Sequence, residues 1–156
     1  MSTTVTAPTQ AGSRTRLLSW PVIAWGLWDW GSAAFNAVIT TFVFTVYLVS
    51  DSFGAKADNE SALSLGLAIA GLFIALLAPV TGQRSDRGGR TVFWLGGYTA
   101  VVVAVSAALF LVRPEPGYLW LGIALLGVGN IFFELASVNY NAILNHLASK
   151  DRIGAV

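Results

Sequence analysis

The chain has 156 residues, of which 55% are hydrophobic and only 11% are charged. Soluble domains carry about 25% charged residues, so this chain cannot cover itself with a polar surface, and lipid is its natural solvent. Its formal net charge of +1 argues against a nucleic-acid partner. The lack of cysteine excludes disulfides and thiolate metal sites, and the single histidine, His146, excludes bis-histidine haem within this chain. We therefore expect no metal and no cofactor.

Residues 1–19 are rich in Ser, Thr, Ala and Pro, with Arg14 and Arg16 as their only charged side chains. This composition is typical of a short disordered tail. The apolar run that follows contains Asp29 and is longer than the ~7–15 residues of a signal-peptide core, which disfavours a cleaved signal peptide. The sequence predicts a tail over residues 1–19 and a membrane region over residues 20–156.

Four apolar segments are each long enough for a membrane-spanning helix, which needs about 20 residues. They are approximately Pro21–Val49, Leu63–Gly82, Thr91–Val112 and Tyr118–Leu147. The polar stretch SDSFGAKADNES separates the first pair, and RPEPG, whose prolines stop a helix, separates the last pair. None of the segments shows the period-two alternation of membrane barrel strands. The sequence therefore predicts an all-α integral membrane fold.

Basic residues are distributed unequally between the two sides that these spans define. One side holds seven of the nine and the other holds two, Lys56 and Arg113. The seven are Arg14, Arg16, Arg84, Arg87, Arg90, Lys150 and Arg152. Because Lys and Arg favour the cytoplasmic side, we expect a multi-pass protein of the cell membrane with a cytoplasmic N-terminus.

The first and fourth spans each carry an acidic residue, a serine and an asparagine at successive offsets of three and four residues, which places each trio on one helical face. The two trios are Asp29, Ser32 and Asn36, and Glu134, Ser137 and Asn141. The match extends over DWGSAAFNAVI and ELASVNYNAIL, as expected for the remnant of an internal repeat. Transporters built from inverted repeats bind their substrates at the repeat interface, so we expect both stripes to line a water-filled cavity.

The two acids of these stripes differ in depth. Glu134 lies near the middle of its span, where an ionised side chain costs at least ~2.5 kcal/mol, and Asp29 lies about 12 Å inside Pro21 at helical rise. Two acids in one cavity repel, so one of them tends to stay protonated and could carry a proton or another cation. The structural alternatives are that Asp29 is solvated at the interface and that Glu134 is hydrogen-bonded to a neighbouring helix.

Two other patterns concern packing. Tryptophans crowd the start of the first span, at Trp20, Trp25, Trp28 and Trp30, and we interpret them as a headgroup-level belt in preference to a ligand cage. The second and third spans carry small residues that we expect at close helix contacts. These residues are Gly66, Ala70, Gly71, Gly96, Gly97 and Ala100.

The connection between the second and third spans reads TGQRSDRGGR and is positively charged. Its pattern Gly-x-x-x-Asp-Arg-x-Gly-Arg, between two membrane spans, resembles the signature loop of the major facilitator superfamily. The resemblance implies a cytoplasmic gate in which the acid and the last arginine are the gate charges, the other arginine supports them, and the glycines allow a tight turn. The residues concerned are Gly82, Asp86, Arg87, Gly89 and Arg90. The chain departs from the family pattern at Arg84, usually aliphatic, and at Thr91, often basic.

AWGLWDWGSAAFNAVITTFVFTVYL and VNYNAILNHLA resemble the vacuole-effluxer-like branch of that superfamily, whose founding members export amino acids from the yeast vacuole during autophagy. The resemblance implies a secondary transporter that moves a small polar solute, such as an amino acid, by alternating access coupled to H+ or Na+. Glycoside–cation symporters share a similar first span with an acid, which leaves a sugar as an alternative substrate.

The superfamily has twelve spans, and four are predicted here. The resemblance therefore implies an N-terminal fragment, one three-helix repeat plus the first helix of the next, whose partners are the bilayer and the remaining transporter helices. The alternatives are a self-contained four-helix protein acting as a small dimeric exporter and a non-transporting scaffold subunit. An intramembrane enzyme is disfavoured because the chain lacks cysteine and has one peripheral histidine.

Overall fold

The computed structural model describes residues 20–88 and 90–147, and every regular element within these ranges is a helix. Four helical segments are long and apolar enough to cross a membrane: Ile23–Leu48, Lys56–Arg84, Thr91–Leu111 and Pro116–Ile143. The predicted all-α membrane fold is confirmed. The predicted tail, Gly89 and residues 148–156 lie outside the described residues.

The first span is not one regular helix. It consists of α1 (Trp20–Ala34), a π-helical segment (Phe35–Phe42) and α2 (Phe44–Leu48). In the π-helical segment the hydroxyl of Thr41 donates a hydrogen bond of 3.0 Å to the backbone oxygen of Asn36, five residues earlier. The segment contains a run of β-branched residues, VITT, whose side chains crowd the preceding turn of a tight α-helix. A wider turn relieves that crowding.

The second span is longer at both ends than the predicted 63–82, because α3 runs from Lys56 to Gly88. Its first turn contains Asp58, which favours a helix N-terminus, and Lys56 and Glu60 form an exposed ion pair at 3.9 Å. The polar residues at both ends are compatible with a helix that emerges from the bilayer. Gly82 therefore lies inside a helix, and the prediction that it forms part of a tight turn was wrong.

The remaining helices are α4 (Thr91–Ala108), extended by a 3-10 turn at Leu109–Leu111, and α5 (Leu119–Leu147), preceded by a 3-10 turn at Pro116–Tyr118. Helix α5 is the centre of the bundle, since it packs along both α3 and α4 while α3 and α4 contact each other little. α1 contacts α5 mainly through aromatic rings.

Small residues allow α3 and α5 to approach closely, as predicted for Gly66 and Ala70. A Cβ atom on Gly66 would collide with Ile123, and one on Gly127 would lie 3.7 Å from the Cβ of Ala70. Three of the predicted glycines do not have this role. A Cβ on Gly71, Gly96 or Gly97 would meet nothing within 4 Å, so these glycines do not mark helix contacts.

A buried core closes the end of the bundle opposite Arg84. Its members are Leu48, Phe53, Leu63, Val112, Leu119, Ile123 and Leu126. Beside this core, the side-chain amide of Asn59 is only 1% exposed and donates to the backbone oxygens of Ser50 at 3.0 Å and Gly54 at 3.2 Å. Gly54 has φ +138°, a conformation that favours glycine. These bonds fix the connection between the first and second spans.

Candidate functional site

Aromatic side chains join α1 to α5. The ring of Tyr140 stacks on Trp25, with centroids 4.8 Å apart, and on Trp28, at 4.3 Å. Further along the same interface Phe35 stacks on Phe133 at 5.1 Å. Stacked pairs of this kind contribute about 0.5–1.5 kcal/mol each beyond the area they bury. The contact between α1 and α5 is therefore narrow and largely aromatic.

The four tryptophans of the first span divide into two groups. Trp20 and Trp30 are 76% and 78% exposed, as a membrane belt requires. Trp25 and Trp28 instead pack against α5. The ring stacking explains their positions without a bound ligand.

The Tyr140 hydroxyl is buried and makes no hydrogen bond within the described part of the chain. The carboxylate of Asp29 lies close enough to interact with it electrostatically. Asp29 itself is exposed, and the hydroxyl of Ser32 donates to its backbone oxygen at 2.8 Å. The acid of the first stripe is therefore exposed in this chain, and it interacts across the helices with a tyrosine that the sequence analysis did not select.

Two cavities lie between α1, α4 and α5, and both are lined mostly by apolar atoms. The first, of about 360 Å³, includes Ser32, Phe133 and Ser106, and the second, of about 460 Å³, includes Tyr140 and Gly96. Both are in contact with Trp28 and Thr99, whose side chains are hydrogen-bonded to each other. Only Ser32 of the six predicted stripe residues contributes to either cavity.

The polar stripe of α5 does not face the two cavities between α1, α4 and α5. Tyr140 contacts α1, whereas Val138 packs 3.4 Å from the position that a Cβ on α3 would take at Gly82. At about 100° per residue, Glu134, Ser137 and Asn141 lie on the arc between these two contact directions. Asn141 is exposed, and the other two are half-buried. The stripe therefore faces the gap between α1 and α3.

Equivalent positions of the two stripes agree in exposure only in part. Asn36 and Asn141 are both exposed, and Ser32 and Ser137 are both half-buried, but Asp29 is exposed where Glu134 is half-buried. Outside the stripes, Trp30 is 78% exposed and its aligned partner Leu135 is 5% exposed. The internal repeat therefore stays an interpretation of the sequence.

The signature segment is largely helical. Asp86 and Arg87 lie within α3, and their side chains are outside the described residues, as is Gly89 entirely. Arg90 is exposed, and its guanidinium carbon lies 4.9 Å from the centre of the Phe93 ring, a cation–π contact. The expected gate charges therefore lie in sequence at the end of α3 and the start of α4, and their ion pairing stays a prediction.

Sequence reasoning missed three residues that are buried or lie in interhelical contacts. Tyr140 and Thr99 were not selected, and neither was Asn139, which is fully buried and donates to the backbone oxygen of Leu135 at 2.8 Å. A signal existed only for Tyr140, because the repeat alignment pairs it with Phe35. Thr99 is the only polar residue in a long apolar stretch of α4 before Ser106, which does not by itself indicate a partner.

Four membrane-spanning helices centred on α5, with an acid–serine–asparagine stripe repeated on the first and the last, are the architecture of a helical transporter segment. Residues 4–156 match the Major Facilitator Superfamily, and the chain belongs to this superfamily. It is a family of transporters, so membership indicates a transporter and not an enzyme, and the chain is an integral membrane protein.

The chain is similar to a curated protein of Bacillus subtilis (strain 168), "Uncharacterized MFS-type transporter YxiO". The two are 30% identical over 137 residues, which cover 85% of this chain and 31% of that protein. The chain thus spans about a third of the length of this relative. No solved structure matches the chain significantly.

Proposed function

We propose that the chain forms part of a secondary transporter that moves a small polar solute across the membrane by alternating access. The observation that carries this proposal is the direction of the α5 stripe. Glu134, Ser137 and Asn141 face the gap between α1 and α3. A polar side chain costs less free energy at a helix end, where water solvates it, than within the membrane. Membership of a transporter superfamily supports the same function.

The chemistry of the stripes favours a solute with both charged and hydrogen-bonding groups. Serine hydroxyls and asparagine amides can donate and accept, and the acids can bind an ammonium group. An amino acid has all the complementary groups, and the resemblance to vacuole effluxers points to the same class. A sugar would use the hydroxyl and amide groups alone, so it is the second substrate class to test.

We further propose that Glu134 couples solute movement to H+ or Na+. It is the half-buried acid of the α5 stripe, and Asp29 is the acid of the α1 stripe. Protonation or cation binding would offset the cost of keeping a carboxylate within the membrane. At the Arg84 end, which the positive-inside rule assigns to the cytoplasm, Asp86, Arg87 and Arg90 would form the gate.

The test is solute uptake into proteoliposomes that contain the product of the complete reading frame to which this chain belongs. Under an imposed proton or sodium gradient, labelled amino acids and sugars are offered separately. We expect Glu134→Gln to abolish concentrative uptake and to retain exchange of labelled for unlabelled solute, because exchange needs binding but no coupling. Uphill uptake by the variant at the wild-type rate would contradict the coupling role.

A matched control is Glu60→Gln, which removes the same charge from an exposed residue of α3 paired with Lys56. It should leave both uptake and exchange unchanged. Reconstitution of the 156-residue chain alone tests the alternatives: transport by a species with the mass of two chains would indicate a small dimeric exporter. Normal uptake by the Glu134→Gln and Asp29→Asn variants would favour a structural role for the stripes.

A further inference from the structure

A cleft at the Arg84 end of the bundle is not used by the proposed transport function. It has a volume of about 280 Å³ and lies where α3, α4 and α5 meet. Arg84 and Trp94 line one part of it, and Leu77, Phe132 and Leu135 line another. The exposure of Leu77 is 40% and that of Trp94 is 42%, so the cleft opens to the outside of the bundle.

The position of the cleft relative to the membrane follows from the ends of the spans. Arg84 belongs to the polar stretch QRSDRGGR that separates the apolar parts of α3 and α4, and Thr91 is the first residue of α4. The charged part of the cleft therefore lies at headgroup level. Leu77 is two helical turns before Arg84, which places the apolar part about 10 Å deeper at the rise of an α-helix.

The lining of the cleft changes from charged at headgroup level to apolar deeper in the membrane, as a phospholipid changes from its phosphate to its acyl chains. At headgroup level the guanidinium of Arg84 offers a planar fork of donors that matches a phosphate. Trp94 stacks on Tyr98, with centroids 5.9 Å apart, and amphipathic rings favour the same level. Deeper in the cleft, the Phe132 ring lies 5.9 Å from the Tyr98 ring and is tilted by 50° to it, and Leu77 adds aliphatic surface for an acyl chain.

No carboxylate that the structure describes neutralises this arginine. Among the side chains of the described residues the ion pair is Lys56–Glu60, which lies at the opposite end of α3. Arg90, also exposed, adds a second positive charge at the same membrane boundary. Among the described residues that line the cleft, Arg84 is the charged one and none is acidic, so this lining is complementary to an anion.

We propose that this cleft binds one anionic phospholipid, with its phosphate at Arg84 and an acyl chain along Leu77 and Phe132. Arg84 is one of the two positions at which the chain departs from the signature pattern, and an aliphatic residue is usual there, so the site would be a property of this chain. The proposal does not depend on solute transport.

The test is native mass spectrometry of the 156-residue chain released from detergent with an equimolar mixture of phosphatidylglycerol and phosphatidylcholine. We expect the chain to retain phosphatidylglycerol preferentially. Arg84→Gln should lower that preference about fivefold, the factor expected for one basic residue near an anionic surface. Arg113→Gln, which removes an equally exposed charge at the other membrane boundary, should leave it unchanged.

Two further variants separate the cleft from charge alone. Leu77→Trp should fill the apolar part and reduce retained phosphatidylglycerol while every charge stays in place. Arg84→Lys should retain part of the preference, because it keeps the charge and loses the fork. Near-ultraviolet circular dichroism equal to that of the wild type shows that each variant is folded.

Four results would overturn the proposal. The first is an unchanged lipid preference in Arg84→Gln, and the second is an equal loss in Arg84→Gln and Arg113→Gln, which would reflect general surface charge. The third is complete displacement of the lipid by millimolar inorganic phosphate, which would identify a site for a free anion. Retention of phosphatidylcholine at the same level as phosphatidylglycerol by the wild type would also exclude an anionic lipid site.

Discussion

The indole Nε1 of Trp28 in α1 donates a hydrogen bond of 3.0 Å to the hydroxyl oxygen of Thr99 in α4. Both residues also line the two apolar cavities between α1, α4 and α5. The Thr99 hydroxyl in turn donates to the backbone oxygen of Leu95 at 2.8 Å. This short chain of hydrogen bonds is a direct polar link between α1 and α4, formed by residues that both cavities share.

Replacement of Thr99 by valine tests this link. The change keeps the shape of the side chain and removes the acceptor of a half-buried indole, so we expect a loss of about 0.5–1.5 kcal/mol in the free energy of unfolding. Unfolding of the chain in mixed micelles by added SDS measures this. The matched control is Thr45→Val, because the Thr45 hydroxyl donates to the backbone oxygen of Thr41 within the same span. Equal effects of the two substitutions would contradict the interhelical role.

A second prediction concerns Tyr140, whose ring stacks on two tryptophans and whose hydroxyl has no hydrogen-bond partner among the described residues. Tyr140→Ala removes the stacking on Trp25 and Trp28 and should lower the free energy of unfolding by about 1–3 kcal/mol, the sum for two aromatic pairs. Tyr140→Phe keeps the ring and should be nearly neutral in stability. Tryptophan fluorescence followed during SDS titration measures both, and a Phe variant as unstable as the Ala variant would show that the hydroxyl holds the helices together.

The close approach of α3 and α5 at Gly66 predicts intolerance to a methyl group. Gly66→Ala places a Cβ against Ile123 and should cost about 1–3 kcal/mol, as overpacking typically does. Gly71→Ala, one of the glycines with open space, should be neutral or stabilising, since alanine is the better helix former. Thermal unfolding in detergent compares the two. Addition of Ile123→Ala to Gly66→Ala should recover part of the loss, and absence of any recovery would rule out this contact as the cause.

Asn59 supports the closed end of the bundle. Asn59→Ala leaves the backbone oxygens of Ser50 and Gly54 without their donor, and we expect a loss of about 1–3 kcal/mol in the free energy of unfolding. Ser61→Ala is the control, since the hydroxyl of Ser61 is exposed and bonds only to Ala57 in its own helix. A denaturant titration that gives the same midpoint for Asn59→Ala and the wild type would show that water replaces the amide.

The four spans were predictable because the cost of placing polar groups in lipid is large enough to mark each apolar run directly in the composition. The ends of the helices were not. KADNES was predicted as a connection, yet it begins α3, because hydropathy reports where the bilayer ends and not where a helix ends. The π-helical segment at Phe35–Phe42 also escaped prediction, since FNAVITTF has no proline or glycine to mark a change of helix type.

The candidate site was likewise predictable only in part. The spacing of Asp29, Ser32 and Asn36 placed these residues on one face of a span, but which neighbouring helix each face meets depends on the packing of α5, and no local pattern contains that information. The link between Trp28 and Thr99 joins residues 71 positions apart in the chain. Such pairs become visible only when the helices are assembled.

The central place of α5 has a consequence for how the protein is made. The helix that packs along both α3 and α4 is the last of the four to leave the ribosome, and α3 and α4 contact each other little. Until Leu119–Leu147 enters the bilayer, the small-residue face of α3 and the inner face of α4 can be covered only by lipid or by the insertion machinery. Assembly of these spans therefore waits for the final helix, and a nascent chain interrupted before Leu119 would present unassembled spans to membrane quality control.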